Sequence, residues 1–181
     1  MKKAIFITGT PCTGKTTVSE VLSRRLNCRL IKINDLAIEN DFVLGIDEDK
    51  GYKVIDIGAL NDKVSEIISK SDELTIFEGH LAHLCSGADK VIVLRVHPEI
   101  LRTRLEERNY SESKIRENLE AEAMGVCTAE AFDEYGDKIA EIDVSNLSIE
   151  EVVDLIGEVI LDKIDFPVGE VDFMGWLISN P

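Results

Sequence analysis

Apolar and polar positions alternate along this chain with two different periods. Ile5, Phe6 and Ile7 lie in a continuous apolar run over residues 3–8, the pattern of a strand buried on both faces. From Lys15 the period changes: Val18, Val21, Leu22 and Leu26 share one helical face. A short run over Leu30–Ile33 reads as a second strand, and Asn34 or Asp35 is suited to cap a short helix after it. Residues 40–55 are polar and punctuated by Gly45, Asp47, Glu48, Asp49 and Gly51, which predicts a mobile excursion outside the core. Helical spacing returns with Ile57, Leu60, Val64, Ile67 and Ile68, and Asp56 stands ahead of it as an N-terminal anion. Leu74–Phe77 and Val91–Val96 are further buried strands. Pro98 opens the next helix, whose inner face is Ile100, Leu101 and Leu105. Arg108-Asn109-Tyr110-Ser111 breaks it, and Ser111 caps a long helix expected over about 112–135. A weakly alternating last strand follows at 139–144. The closing helix carries Ile149, Val152, Val153, Ile156, Val159, Ile160 and Ile164. Residues 165–181 read as an appended tail that packs or docks.

Strands alternating with helices imply right-handed crossovers and a parallel sheet, hence an α/β fold with helices on both faces. Ligands of such sheets sit outside the carboxyl ends of the strands. Thr8-Gly9, Asp35, Glu78, His80, Arg95 and the loop after Val144 all fall there.

The turn after the first strand carries the chemistry. Gly9-Thr10-Pro11-Cys12-Thr13-Gly14-Lys15-Thr16 spells G-x-x-x-x-G-K-T between a strand and a helix. Successive backbone N–H groups of such a loop converge on one concavity, and the helix places its positive end there. Lys15 supplies a mobile cation for the outer phosphates; Thr16 offers a hydroxyl to Mg²⁺, with Thr17 beside it. The segment predicts binding of a nucleoside triphosphate. Glu78 ends a buried strand, where an acidic residue contacts the Mg²⁺ shell; the alternative is a carboxylate capping a helix. His80, two residues on, can orient a water or hydroxyl, or be a hydrogen-bonded structural histidine. His80 and His83 have helical metal-pair spacing, but no third ligand is evident. Arg104 and Arg108 lie one turn apart and can cover a transferring phosphoryl group; the alternative is a solvated face paired with Glu106 and Glu107. At Cys12 a backbone with positive φ strains any residue but glycine.

Charge narrows the partners. The 181 residues include 35 acidic and 20 basic ones, a net charge of −15. That argues against an extended phosphate-backbone footprint, and no direct sequence-specific nucleic acid binding is expected. It favours small nucleotides, or a basic protein partner; solubility or a salty cytoplasm is the plainer reading. Cys12, Cys28, Cys85 and Cys127 form no C-x-x-C pair, so no zinc lid is expected. No apolar run reaches a membrane span, and no secretory signal is expected before a strand and loop that begin at once. A cytoplasmic protein with free thiols is expected.

Several of these segments together resemble the sixth-isoenzyme subfamily of adenylate kinase, a ribosome-assembly P-loop ATPase of archaea and eukaryotes. The shared features are Gly9-Thr10-Pro11 with Gly14-Lys15-Thr16-Thr17, Asn34-Asp35-Leu36-Ala37, Glu78-Gly79-His80, Val93-Leu94-Arg95, Glu107-Arg108-Asn109-Tyr110 and Glu117–Glu122. Cys12, Glu78 and Asn109 stand where that family more often has Gly, Asp and Gly. The resemblance covers most of residues 3–160. It implies a P-loop NTPase fold with a five-stranded parallel sheet, and one kinase domain over 1–164. It also implies a monophosphate-binding segment at about 34–56 and a short lid at about 108–118. It implies phosphoryl transfer from ATP to AMP with Mg²⁺, slow ATP hydrolysis, and binding of a basic small-subunit ribosomal protein during subunit maturation. On this reading ATP lies on Gly9, Cys12, Thr13, Gly14, Lys15, Thr16, Thr17 and Arg108. The monophosphate lies near Asp35, Asp56 and Arg95. Thr16 and Glu78 face Mg²⁺, and Lys15, His80 and Arg108 are catalytic. The alternative within the same resemblance is an assembly factor whose ATPase cycle gates binding of the basic protein. A small-molecule kinase of shikimate or dephospho-coenzyme A type finds no support in the acceptor segment.

Overall fold

The computed structural model describes residues 4–48 and 51–181. Lys3, where the first predicted strand begins, and Asp49 of the polar excursion lie outside the described residues. Five strands form one parallel sheet: β1 (Ala4–Thr8), β2 (Arg29–Lys32), β5 (Thr75–Glu78), β6 (Lys90–Arg95) and β7 (Ile139–Asp143), in the order β2-β5-β1-β6-β7. The central position of β1 explains its unbroken apolar run. Ile5 and Ile7 enter one core layer with Val18 and Leu22 of α1 (Lys15–Leu26) and with Val153 and Ile156 of α7 (Ile149–Ile160). Phe6 points the other way and packs edge-on against Phe77, ring centroids 5.2 Å apart. That second layer is completed by Leu60 and Val64 of α3 (Ile57–Lys70) and by Ala131 of α6 (Val126–Tyr135).

The helices α2 (Ile33–Glu39), α4 (Pro98–Glu107) and α5 (Glu112–Met124) complete the body. Several predicted starts hold: Asp56 caps α3 by accepting from Ala59 N at 3.0 Å, Ser111 caps α5, and Pro98 is the first residue of α4. Three expectations change. α2 is capped neither by Asn34 nor by Asp35; it starts at Ile33, which is fully buried, so both residues lie inside its first turn. The excursion at 40–55 contains an antiparallel hairpin, β3 (Val43–Ile46) with β4 (Lys53–Ile55). The helix expected over 112–135 breaks at Gly125, which has φ 68 and ends α5 where the Arg95 guanidinium passes 3.4 Å from the position of a Cβ.

The tail packs rather than trails. Glu141 N donates to Phe166 O at 3.0 Å along the outer edge of β7, and Trp176, in the short helix α8 (Met174–Ser179), packs on the first core layer and donates to Glu99.

Candidate functional site

The glycine loop has the backbone its residues allow. Gly9 has φ 144 and sits so close to β6 that a Cβ would lie 2.6 Å from Leu94 O. Gly14, in the left-handed region, opens α1. Cys12 also has positive φ, 68, a conformation that L residues with a Cβ resist. Lys15 Nζ donates to Thr10 O at 2.8 Å, curling back along the loop. Burial lowers its pKa, while the nearby Cys127, Glu78, Cys12 and Glu122 oppose that shift.

Glu78 closes β5 in register with Ile7 on one side and Lys32 on the other. Its carboxylate accepts from Thr16 Oγ1 at 3.2 Å. Burial pushes its pKa up, against the pull of Lys15 and the Thr16 hydroxyl. A buried carboxylate beside a threonine hydroxyl is an all-oxygen set of the kind Mg²⁺ prefers. His80 lies beyond the end of β5, yet opens into the same chamber as Glu78 and Lys15. Burial, then Lys15 and His83, hold its pKa down at about 4, so it is neutral at pH 7. His83 is no metal partner for it. It is buried, with Nδ1 2.7 Å from Thr8 Oγ1 and Nε2 2.9 Å from Glu130. Among the described residues no group of three or more His, Cys, Asp or Glu is arranged to hold a metal ion.

Two cavities meet at the loop. The outer one, about 280 Å³, is lined by Thr13, Gly14, Thr17, Arg104, Val144 and Leu147 among others. The inner one, about 420 Å³, is lined by Lys15, Thr16, Glu78 and His80 together with Asn34, Ile38, Tyr52 and Tyr110. Cys12 and Arg108 line both. Arg108 caps the C-terminus of α4, and Asn109 after it takes φ 58, a left-handed turn that asparagine tolerates. Arg104 Nη1 donates to Cys12 O at 3.3 Å, bracing the loop from α4. The site therefore offers positive charge from Lys15, Arg104 and Arg108 around one phosphate-sized concavity, with room for a ligand on each side.

Three residues expected around a monophosphate are elsewhere. Arg95 is buried, with Nε 3.0 Å from Glu122 Oε1, Nη1 on Glu141, and its guanidinium 5.3 Å from the Phe173 ring. Its Nη2 also donates to Glu122 O at 2.6 Å, and Arg95 is not among the residues that line the inner cavity. Asp56 spends its carboxylate on the α3 cap. Asp35 lines a separate depression with Arg29, Lys32 and Glu39. In their place the inner cavity has Asn34, Ile38, Tyr52, Lys53 and Tyr110. Asn34 and Ile38 are four apart on α2, so helical spacing was the available signal for that pair. Tyr52 was legible only as an aromatic residue in a polar stretch.

The comparisons with known proteins fit this geometry. A family model described as an AAA domain matches residues 5–125. A relative from Methanothermobacter thermautotrophicus is 45% identical over 175 residues, covering 97% of this chain and 99% of its own length. A second, from Methanosarcina barkeri, is 43% identical and covers 86% of this chain and 85% of itself. Both carry the name "Putative adenylate kinase". Among solved structures, the shikimate kinase of Acinetobacter baumannii superposes with a TM-score of 0.64 at 15% identity, over 88% of this chain and 93% of that one. Likeness at that identity speaks for the fold alone. The sheet order, the glycine loop and these near-full-length relatives agree: the chain belongs to the adenylate kinase-like family of P-loop kinases.

Proposed function

We propose that this protein transfers the terminal phosphoryl group of ATP to AMP. The observation that carries the reading is the pair of cavities joined at Cys12 and Arg108, one on each side of the Lys15 ammonium's loop. ATP lies in the outer cavity, its adenine between the Val144–Leu147 segment and Arg104, its phosphates on Gly14, Lys15, Thr16 and Thr17. AMP lies in the inner cavity with its phosphate toward Lys15 and Arg108. A phosphate oxygen of AMP forms a new bond to the γ-phosphorus. The bond from that phosphorus to the β,γ-bridging oxygen breaks, its electron pair staying on ADP. The attacking phosphate is ionised at neutral pH, so the transfer demands positioning and charge rather than a base. Arg108 and Lys15 face the spread charge of the transferring group. Thr16 and Glu78 would hold Mg²⁺, which neutralises phosphate charge when bound.

Slow hydrolysis of ATP follows when water replaces the acceptor. The neutral His80 imidazole can accept a hydrogen bond from that water. The names of the relatives support AMP as acceptor. A coupled assay across AMP, CMP, GMP and UMP, with an acceptor-free control, tests the reading. AMP should rank first; a clear preference for another monophosphate, or turnover unaffected by any, overturns it.

A second role has one observation in its favour. The net charge of −15 suits a basic partner, as does the resemblance to a ribosome-assembly factor in the cytoplasm. In this reading a basic small-subunit ribosomal protein binds in a nucleotide-dependent way during subunit maturation. Its affinity should fall steeply with salt, because the attraction is between screened surface charges. No binding by calorimetry at low salt, or an affinity indifferent to salt, rejects this role. No helix among the described residues is long and apolar enough to cross a membrane.

A further inference from the structure

The inner cavity is flanked by a piece of chain with little of its own to hold it in place. β3 and β4 form a two-stranded ribbon, a unit that is marginal in water by itself. Leu44, Ile46 and Val54 are exposed on it, so packing of these side chains does not fix its position. At its base Asp56 N donates to Phe42 O at 2.9 Å. At its far end it meets α5. Lys114 Nζ lies over the Tyr52 ring, 4.5 Å from the centroid, and Asn118 Nδ2 donates to the Tyr52 hydroxyl at 3.3 Å. Asn118 is buried and also donates to Lys114 O at 2.7 Å, which orients its amide within α5. Gly51 passes so near that its Cβ would lie 3.2 Å from Lys114 Nζ. Tyr52 lines the inner cavity, and α5 follows directly on Arg108 and Tyr110, which line it too.

We propose that Tyr52 is a positioning residue for the acceptor: docked on Lys114 and Asn118, it latches the hairpin across the inner cavity and presents an aromatic wall to the nucleotide there. The proposal rests on reading the inner cavity as the acceptor side. Only the latched arrangement has a complete wall, so the apparent acceptor affinity is scaled by the latched fraction. Cutting the latch weakens acceptor binding in proportion. No hairpin residue lines the outer cavity, so ATP is insensitive to it.

The experiment uses Tyr52→Ala, Tyr52→Phe and Lys114→Met in the full chain. AMP and ATP are varied independently in steady-state kinetics, and hydrogen exchange is followed over residues 43–48 and 51–55. Tyr52→Ala should raise KM for AMP by about 10-fold, the effect of a latched fraction falling to about a tenth. KM for ATP and kcat at saturating AMP should stay within about twofold of the parent. Tyr52→Phe keeps the ring over Lys114 and loses one neutral hydrogen bond, so its effect should be smaller, about threefold. Lys114→Met should fall between them. Exchange should quicken over the hairpin in Tyr52→Ala and stay unchanged in β1 and β6. Equal rises in both KM values, an unchanged KM for AMP, or unchanged hairpin exchange would each overturn the proposal. If the parent protein fails to phosphorylate AMP, the assigned acceptor falls, while the exchange experiment still decides whether Tyr52 latches the hairpin.

Discussion

The Thr10 hydroxyl donates to the Glu122 carboxylate at 2.5 Å, joining the glycine loop to α5 across 112 residues of chain. The other oxygen of Glu122 accepts from Arg95 Nε at 3.0 Å and Val96 N at 2.9 Å. Arg95 in turn binds Glu141, whose second oxygen accepts from Gly169 N in the tail at 2.9 Å. Thr10 is also the residue whose carbonyl receives Lys15. The loop thus stands on a buried, charge-assisted chain of bonds that ends in the C-terminal segment.

Arg95 is the single cation between two buried carboxylates in that chain. Arg95→Met should leave Glu122 and Glu141 uncompensated and lower stability by about 3–5 kcal/mol, the range for breaking a buried pair. Urea denaturation reads this directly. If Arg95 were an acceptor ligand instead, the variant would keep its denaturation midpoint and lose only AMP affinity.

Lys15→Met should abolish transfer and hydrolysis together, each by at least about 100-fold, since both develop charge on the same phosphates. The fold should survive, because a desolvated ammonium is replaced by an apolar side chain of similar length. Turnover and circular dichroism on the same preparation separate the two. Substantial turnover in a folded variant would remove the loop from the reaction.

His80→Ala should lower ATP hydrolysis by about 10- to 100-fold, the low end of general-base effects, and AMP phosphorylation much less. Arg108→Ala should impair both, because its charge serves either nucleophile. Equal losses in His80→Ala would make His80 structural. A second measurement uses its titration. In the folded chain burial and the charges of Lys15 and His83 hold it at about 4; unfolded, its ordinary value is about 6.5. Between these the unfolded chain binds more protons. Its contribution to stability is therefore complete above about pH 6.5 and is lost as pH falls toward 4. Relative to His80→Gln, the parent protein should lose thermal stability between pH 6.5 and 4 and show no pH-dependent difference from pH 7 to 8. Parallel melting curves across the whole range would contradict the assignment.

Cys12→Gly should stabilise the protein by about 0.5–1 kcal/mol, since a left-handed backbone costs a Cβ-bearing residue about 1–2 kcal/mol and glycine returns part of that in unfolded-chain entropy. At this chain length that is a rise in melting temperature of about 1–4 °C. A lower melting temperature would mean that packing of the Cys12 side chain against the core outweighs the backbone strain.

The order in which the strands lie came from the structure, while the sequence by itself determined the five strands, their parallel arrangement and the glycine loop. These are local: Ile5, Phe6 and Ile7 read as doubly buried because a strand's side chains alternate, and Lys15 follows its loop within one turn. It also supplied the Asp56 and Ser111 caps, whose partners lie three residues away. What only the tertiary structure decided depends on residues far apart in the chain. Arg95 sits at the end of a strand, where a ligand contact was expected; Glu122 and Glu141, 27 and 46 residues further on, claim its guanidinium. At the break, Gly125 takes a left-handed backbone, and a Cβ there would lie 3.4 Å from that guanidinium. Tyr52 lies in a stretch whose composition reads as loop, and acquires its place from Lys114 and Asn118 on another helix. Periodicity records which face of an element is buried. Which cation meets which carboxylate, and which aromatic ring lines a cavity, is settled when the sheet brings distant segments to the same end.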